Sequence, residues 1–106
     1  MREFSASELR GYLETASARP LLLDVREPWE FDKACIEGST PVPTRTIPER
    51  LQDFDPDQEI VVICHHGIRS MEAAMVLWNL GFENVKSLAG GIDRWSEQVD
   101  PSLPRY

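Results

Sequence analysis

The segment of the chain best suited to chemistry is a cysteine followed closely by an arginine. It reads Cys64-His65-His66-Gly67-Ile68-Arg69-Ser70. Residues 60–64 before it are uncharged and β-branched at the first four positions, which predicts a buried strand. Residues 70–80 carry apolar side chains at helical spacing and end at Gly81, which suits a C-cap and predicts a helix. Because open α/β sheets bind ligands at turns of this kind, the segment is the leading candidate for a site.

A strand-to-helix turn directs consecutive backbone N–H groups and the positive end of the helix into one concavity, which favours an anion. Gly67 permits tight curvature, and Arg69 adds a planar cation. Ser70 is a natural N-cap whose hydroxyl either caps the helix or faces the pocket. A thiol beside such groups ionises readily, so Cys64 is predicted to be a nucleophile that acts on an anionic substrate.

Composition narrows the classes of function. The chain has 106 residues and a net charge of −7, with 42% hydrophobic residues. These values predict one globular domain over residues 1–106. The acidic balance and the lack of basic clusters argue against nucleic acid and anionic membranes as partners. The chain shows neither a membrane-spanning stretch nor a secretory signal, so we expect a cytoplasmic location.

Strand-like and helix-like patterns alternate along the chain. The alternation predicts an α/β domain with a mainly parallel, twisted sheet of about five strands, flanked by helices on both faces. Capping-box spacing marks helix starts after Ser5 and at Thr46. The remaining predictions are a first helix to about residue 17, a strand at 21–25, a helical turn at 27–33, a short strand near 35–42, a short helix to about 55, a strand at 84–88 and a helix at 92–98.

Charged residues after the first predicted strand have the spacing of a support for the loop. We predict that Asp24, Arg26 and Glu30 form an ion-pair network beneath the Cys64 loop, the alternative being direct contact with substrate. The three tryptophans, Trp29, Trp78 and Trp95, are predicted as core anchors.

The neighbouring histidines next to Cys64 raise the question of a metal. Two to four residues usually separate zinc ligands within one segment, and adjacent side chains on a tight loop are expected to diverge. We therefore predict no metal and no cofactor, and we assign His65 and His66 to the wall of the pocket.

Four segments together resemble the single-domain rhodaneses, the thiosulfate sulfurtransferase family. They are Leu22-Leu23-Asp24-Val25-Arg26-Glu27-Pro28-Trp29-Glu30, the Cys64 to Ser70 loop, Ala74 through Leu80-Gly81-Phe82, and Leu88-Ala89-Gly90-Gly91-Ile92-Asp93-Arg94-Trp95. The resemblance implies a twisted parallel sheet, a nucleophile at Cys64, and a loop from His65 to Ser70 whose amides cradle a persulfide.

The resemblance also implies a reaction in two steps. Cys64 takes sulfane sulfur from a small anionic donor such as thiosulfate and passes it to a thiol or dithiol acceptor, a protein thiol included, with ping-pong kinetics. The alternative function is a non-catalytic module of the same fold that carries a persulfide or binds a protein. Related cysteine phosphatases place five residues between Cys and Arg. This chain has four. The loop amides are therefore expected to form a smaller ring, which suits a single sulfur anion better than phosphate.

The second cysteine lies where the chain departs from the family. The family commonly has Gly-His-Ile where this chain has Ala34-Cys35-Ile36. Two interpretations of Cys35 stay open: a small buried apolar residue, and a resolving thiol that forms a disulfide with Cys64.

Overall fold

The computed structural model describes residues 3–106. Five strands and five helices alternate along them, with two short 3₁₀ turns in the middle. The elements are β1 Glu3–Phe4, α1 Ala6–Thr15, β2 Leu21–Asp24, α2 Pro28–Lys33, β3 Thr40–Pro41, α3 Ile47–Arg50, β4 Ile60–Ile63, α4 Ile68–Asn79, β5 Val85–Leu88 and α5 Gly91–Gln98, and the 3₁₀ turns are Thr44–Thr46 and Leu51–Asp53.

The strands form one sheet in the order β1-β5-β4-β2-β3, and every described pairing is parallel. The central strand β4 is buried along its whole length, while the edge strands β1 and β3 have two residues each. The predicted parallel α/β sheet of about five strands is therefore confirmed.

Helices cover both faces of the sheet, as predicted. Successive side chains of a strand point to opposite faces, so Leu23 and Val62 join one core and Leu22 and Val61 join the other. The first core includes residues of α3 and α4, and the second includes residues of α1 and α5. The parallel strands are thus covered on both sides, and their carboxyl ends meet at one edge.

The N-terminal strand was not among the predicted elements. β1 pairs with β5 through Phe4 and Leu88, but two residues are too few to show a strand pattern. The capping box after Ser5 is confirmed, because Ser5 Oγ accepts from the Glu8 N–H and Glu8 Oε1 accepts from the Ser5 N–H. Helix α1 ends at Thr15, two residues before the predicted end.

One local prediction is confirmed in part and another is wrong. Helix α3 starts directly after Thr46, as predicted, but the Thr46 side chain makes no capping hydrogen bond, because its hydroxyl donates to the Pro43 carbonyl at 2.8 Å. Trp29 is 57% exposed and lies outside both cores, whereas Trp95 is buried and Trp78 is half-buried, with its indole N–H donating to the Val85 carbonyl. None of the helices formed by residues 3–106 has the length and apolar character to cross a membrane.

Candidate active site

The loop that carries Cys64 joins the central strand to the longest helix. Cys64 follows the last residue of β4, and α4 starts at Ile68. Gly67 is the N-cap of α4 and has φ +98°, a conformation that favours glycine. The predicted helix start at Ser70 is therefore two residues late, because the chain already turns into the helix at Gly67.

The Cys64 thiol is buried, with 1% of the residue exposed. The Gly67 N–H donates to Sγ across 2.9 Å, and Ser70 Oγ lies 3.4 Å from the sulfur. Ser70 Oγ in turn lies 2.7 Å from Ser87 Oγ on β5. The sulfur therefore accepts from one backbone donor, which stabilises negative charge on it, while its own S–H donates to the Ser70 hydroxyl.

Ser70 has a different place from the one predicted. It lies within the first turn of α4, is fully buried and does not cap the helix. A buried hydroxyl needs a partner, and Ser70 has two, the thiol of Cys64 and the hydroxyl of Ser87.

The neighbouring strand-to-helix turn, from β5 to α5, packs against the loop. A Cβ on Gly91 would lie 2.4 Å from the carbonyl oxygens of Cys64 and His65, so only glycine permits this approach. The Ile92 N–H donates to the Cys64 carbonyl at 2.8 Å, and the Asp93 N–H donates to the His65 carbonyl at 3.1 Å. The start of α5 thus fixes two peptide units of the loop. In the sequence, Gly90-Gly91 stood out only as part of a segment that resembles the rhodaneses.

Arg69 is paired with a carboxylate of the protein. Its Nη1 and Nη2 donate to Glu30 Oε1 and Oε2 across 2.7 and 2.9 Å. The Glu30 side chain is 5% exposed and that of Arg69 38%. The hydrogen bonds from Arg69 lower the pKa of Glu30 to about 2, and those bonds raise the pKa of Arg69. Both groups are therefore charged at neutral pH.

A second ion pair lies deeper. Arg26 Nη2 and Asp24 Oδ2 are 2.7 Å apart, and both side chains are almost completely buried. The same Nη2 donates to the Ala34 carbonyl at 2.6 Å, which ties down the segment after α2. Of the three residues predicted as one network, Asp24 and Arg26 form a pair, while the Glu30 side chain turns to Arg69. The one atom of Glu30 that Arg26 contacts is its backbone carbonyl oxygen.

Tyr106 joins the two pairs, and no pattern in the sequence singled it out. Its hydroxyl accepts from Arg26 Nη1 at 2.5 Å and donates to Glu30 Oε2 at 3.0 Å. Its ring stacks on His65, with 4.0 Å between the centroids. Burial raises the pKa of Tyr106 to about 12, so the hydroxyl stays protonated. A lone aromatic residue far along the chain gives no periodic signal of such a contact.

The two histidines lie side by side over the loop. Their ring centroids are 3.9 Å apart and the planes meet at 25°, so the expected divergence of the two side chains is wrong. Burial, followed by the charge of His66, lowers the pKa of His65. His65 Nε2 is buried without a hydrogen-bond partner among the described residues, whereas 61% of the His66 side chain is exposed.

The arrangement of these histidines does not fit a metal ion. Ligand atoms of His65, His66 and Asp93 lie within 4.8 Å of one another. However, a metal lies in the plane of each imidazole that binds it, and the lone pairs of stacked rings run side by side. Asp93 also accepts two hydrogen bonds from Arg105, at 2.9 and 3.0 Å. To bind a metal, these residues would have to lose both the Arg105–Asp93 ion pair and the stacking of the two histidine rings.

A cavity of about 260 Å³ opens at the loop. Its lining residues are Cys64, His65, His66, Ile68 and Arg69. Ile68 is 71% exposed at the mouth. The site thus combines a buried thiol, one loop amide that donates to it and a small pocket at the carboxyl edge of a parallel sheet, an arrangement that nucleophilic cysteine chemistry requires.

The sequence and fold comparisons agree on the family. The model of the rhodanese-like domain matches residues 5–98, so the chain belongs to the rhodanese-like domain family. It is 38% identical over 89 residues to "Rhodanese-like/PpiC domain-containing protein 12, chloroplastic" of Arabidopsis thaliana, which covers 80% of this chain and 30% of that protein. It is 35% identical over 79 residues to "Thiosulfate sulfurtransferase GlpE" of Stutzerimonas stutzeri, covering 74% of this chain and 72% of that protein.

Among solved structures, a rhodanese-related protein from Thermoplasma volcanium superposes with a TM-score of 0.81 at 32% identity, covering 98% of this chain and 96% of that one. The chain spans between 25% and 30% of the length of four curated relatives that it matches. Sulfurtransferases among the relatives support sulfur transfer in general.

Proposed function

We propose that the protein is a sulfurtransferase that carries sulfane sulfur as a persulfide on Cys64. The observation that carries this proposal is the Gly67 N–H, which donates to Cys64 Sγ at 2.9 Å from the start of α4. A donor at this place stabilises a thiolate before the reaction and a persulfide anion after it. Membership of the rhodanese-like family supports the same chemistry.

In the first half of the reaction, the Cys64 thiolate attacks the outer sulfur of an anionic donor such as thiosulfate. A sulfur–sulfur bond forms to Sγ, the bond between the two sulfur atoms of thiosulfate breaks, and sulfite leaves with that electron pair. Charge balances, because a thiolate and a dianion give a persulfide anion and a sulfite dianion. The Gly67 amide already donates to Sγ, so this donor needs no rearrangement for the step.

In the second half, a thiol acceptor removes the outer sulfur. The acceptor thiolate attacks the terminal sulfur of the Cys64 persulfide, the bond to Sγ breaks, and the Cys64 thiolate returns. The acceptor, including a thiol or dithiol on another protein, leaves as a persulfide. Donor and acceptor thus use the same pocket in turn, which gives ping-pong kinetics.

The remaining residues of the site support the nucleophile. In this proposal the loop from His65 to Ser70 binds the donor and the transferred sulfur through its amides and side chains. The two ion pairs support the loop in this proposal. Glu30 binds Arg69 directly, and Arg26, which is paired with Asp24, contacts Tyr106, whose ring stacks on His65.

Transfer of sulfur from thiosulfate to cyanide, measured as thiocyanate, tests the proposal. The wild type is compared with Cys64→Ser and with the matched control Cys35→Ser, which changes the half-buried second cysteine. We expect the first variant to lose all turnover and the second to keep it. If the wild type shows no turnover and its intact mass shows no added sulfur, the protein is a non-catalytic binding module and not an enzyme. Cys64-dependent hydrolysis of an aryl phosphate would favour a phosphatase instead.

A further inference from the structure

The electrostatics of the pocket point to the charge of the sulfur donor, an inference that rests on the proposed function. Of the described residues that line the cavity, Arg69 is the one arginine or lysine. Both of its terminal nitrogens that face Glu30 already donate to that carboxylate, at 2.7 and 2.9 Å. The pair brings no net charge to the pocket.

The Glu30 carboxylate is held in place from three sides. Besides Arg69, its Oε1 accepts from the Glu27 N–H at 3.0 Å, and its Oε2 accepts from the Tyr106 hydroxyl at 3.0 Å. The side chain is 5% exposed. A substrate that drew Arg69 away would leave a buried carboxylate without its cation, which is costly. Arg69 therefore stays with Glu30, and a second negative charge that approaches its remaining N–H groups meets an ion pair without net charge.

The other charged groups near the pocket do not compensate. Asp93 is paired with Arg105, and burial favours the neutral form of His65. His66 lies 4.0 Å from the Asp93 carboxylate, which offsets a charge on it. The whole chain carries a net charge of −7, which repels anions at long range. The loop amide on Cys64 Sγ serves the sulfur that is transferred. Among the described residues that line the cavity, a second charge on the leaving group meets no arginine or lysine other than Arg69, which is already paired.

We propose that Glu30 sets the charge selectivity of the site: by neutralising Arg69, it makes the pocket favour sulfur donors with a single negative charge over the dianion thiosulfate. The class of such donors includes thiosulfonates, R–SO₂–S⁻, and persulfides with an uncharged substituent. With methanethiosulfonate, the Cys64 thiolate bonds to the outer sulfur, the sulfur–sulfur bond breaks, and methanesulfinate leaves with the electron pair. One thiolate and one monoanion give one persulfide anion and one monoanion.

The test compares thiosulfate with methanethiosulfonate, in which a methyl group replaces one charged oxygen. The second-order rate constant for sulfur addition to Cys64 is measured by rapid-quench intact mass for each donor, and the ratio of the two constants is formed. Because the intrinsic reactivities of the donors cancel between variants, only changes in this ratio are interpreted. The variants are Glu30→Gln, Arg69→Gln and the double variant, with Arg45→Gln as a control in an exposed ion pair.

We expect the ratio of thiosulfate to methanethiosulfonate to follow the net charge of the pair. It rises roughly tenfold in Glu30→Gln, where Arg69 is freed, and falls by a similar factor in Arg69→Gln, where Glu30 is left alone. In the double variant it returns to the wild-type value, since the pair is again neutral. In the control it is unchanged. If Glu30→Gln does not fold, the rise from Arg69→Gln to the double variant carries the same test.

Two outcomes separate failure of this inference from failure of the proposed function. A ratio that is the same in all variants, with both donors adding sulfur to Cys64, overturns the charge selectivity and leaves sulfur transfer in place. The absence of sulfur addition from either donor overturns both proposals.

Discussion

Two arginines that follow neighbouring strands make similar ion pairs in opposite settings. Arg26, after β2, pairs with Asp24, and the exposed fractions of the two side chains are 0% and 1%. Arg69, after β4, pairs with Glu30, and its side chain is 38% exposed at the mouth of the pocket. The first pair has no access to a ligand, and the second borders the place where a ligand would bind.

The difference in burial gives the two ion pairs different roles, although their charges are the same. Arg26 donates to Asp24, to the Ala34 carbonyl and to Tyr106, so its contacts hold segments of the fold together. Arg69 donates to Glu30 and lines the same cavity as Cys64. Tyr106 hydrogen-bonds to one member of each pair and couples them. We therefore expect the deep pair to control stability and the outer pair to control chemistry.

The largest expected effect comes from breaking the deep pair. Replacing Arg26 with Met leaves the Asp24 carboxylate buried without its partner, so the free energy of unfolding should fall by about 3–5 kcal/mol. Urea unfolding at neutral pH measures the change. The control Arg45→Met removes an exposed pair with Glu27 and should cost about 0–1 kcal/mol. Equal losses in the two variants would break the distinction between the deep pair and a surface pair.

The outer pair has a predicted signature in acid. Since the pKa of Glu30 falls to about 2 in the folded protein from an ordinary value of 4.5, the pair stabilises the fold above pH 4.5. That contribution is lost as the pH falls from 4.5 towards 2, and it is on the order of 3 kcal/mol.

The measurement is the difference in unfolding free energy between the wild type and Glu30→Gln as a function of pH. The advantage of the wild type should shrink across this acid range. Asp93, whose pKa Arg105 also lowers, is present in both proteins and cancels in the difference. A difference that stays constant with pH would contradict the assignment of the pair.

The smallest of the three effects tests the link between the pairs. Tyr106→Phe removes the hydroxyl that contacts Arg26 and Glu30 but keeps the ring on His65, and should cost about 1–2 kcal/mol. It should also lower kcat/KM for sulfur transfer, because Glu30 and Arg69 become less fixed. Tyr12→Phe is the matched control, since its hydroxyl donates to Glu59 on another part of the surface. Tyr12→Phe should leave kcat/KM unchanged. An equal loss of kcat/KM in both variants would show that the Tyr106 hydroxyl does not couple the two ion pairs.

Local sequence signals predicted most of the fold. The uncharged β-branched run before Cys64 and the helical spacing of α4 are properties of neighbouring residues, so the strand, the helix and the loop between them follow from the sequence. The deep pair was partly predictable, because Asp24 and Arg26 are two residues apart. The exposed position of Trp29 could not be predicted, since a large aromatic side chain occurs at the protein surface as well as in the core.

Contacts between distant segments account for the rest. Glu30 and Arg69 are 39 residues apart, and only the parallel order of β2 and β4 brings their side chains together. The need for glycine at Gly91 arises from the Cys64 and His65 carbonyls, which belong to another turn. Tyr106 reaches both ion pairs from the far end of the chain. No spacing in the sequence encodes these three contacts, because each depends on how the elements pack.

The position of the added sulfur after the first half of the reaction tests Cys64 as the carrier most directly. The measurement is intact mass and peptide mapping of the wild type and Cys64→Ser after treatment with methanethiosulfonate, without any acceptor. We predict the added mass of one sulfur atom in the wild type, located on the peptide with Cys64, its removal by a small thiol, and no addition in the variant. Sulfur on Cys35, or equal addition to both proteins, would contradict the central claim.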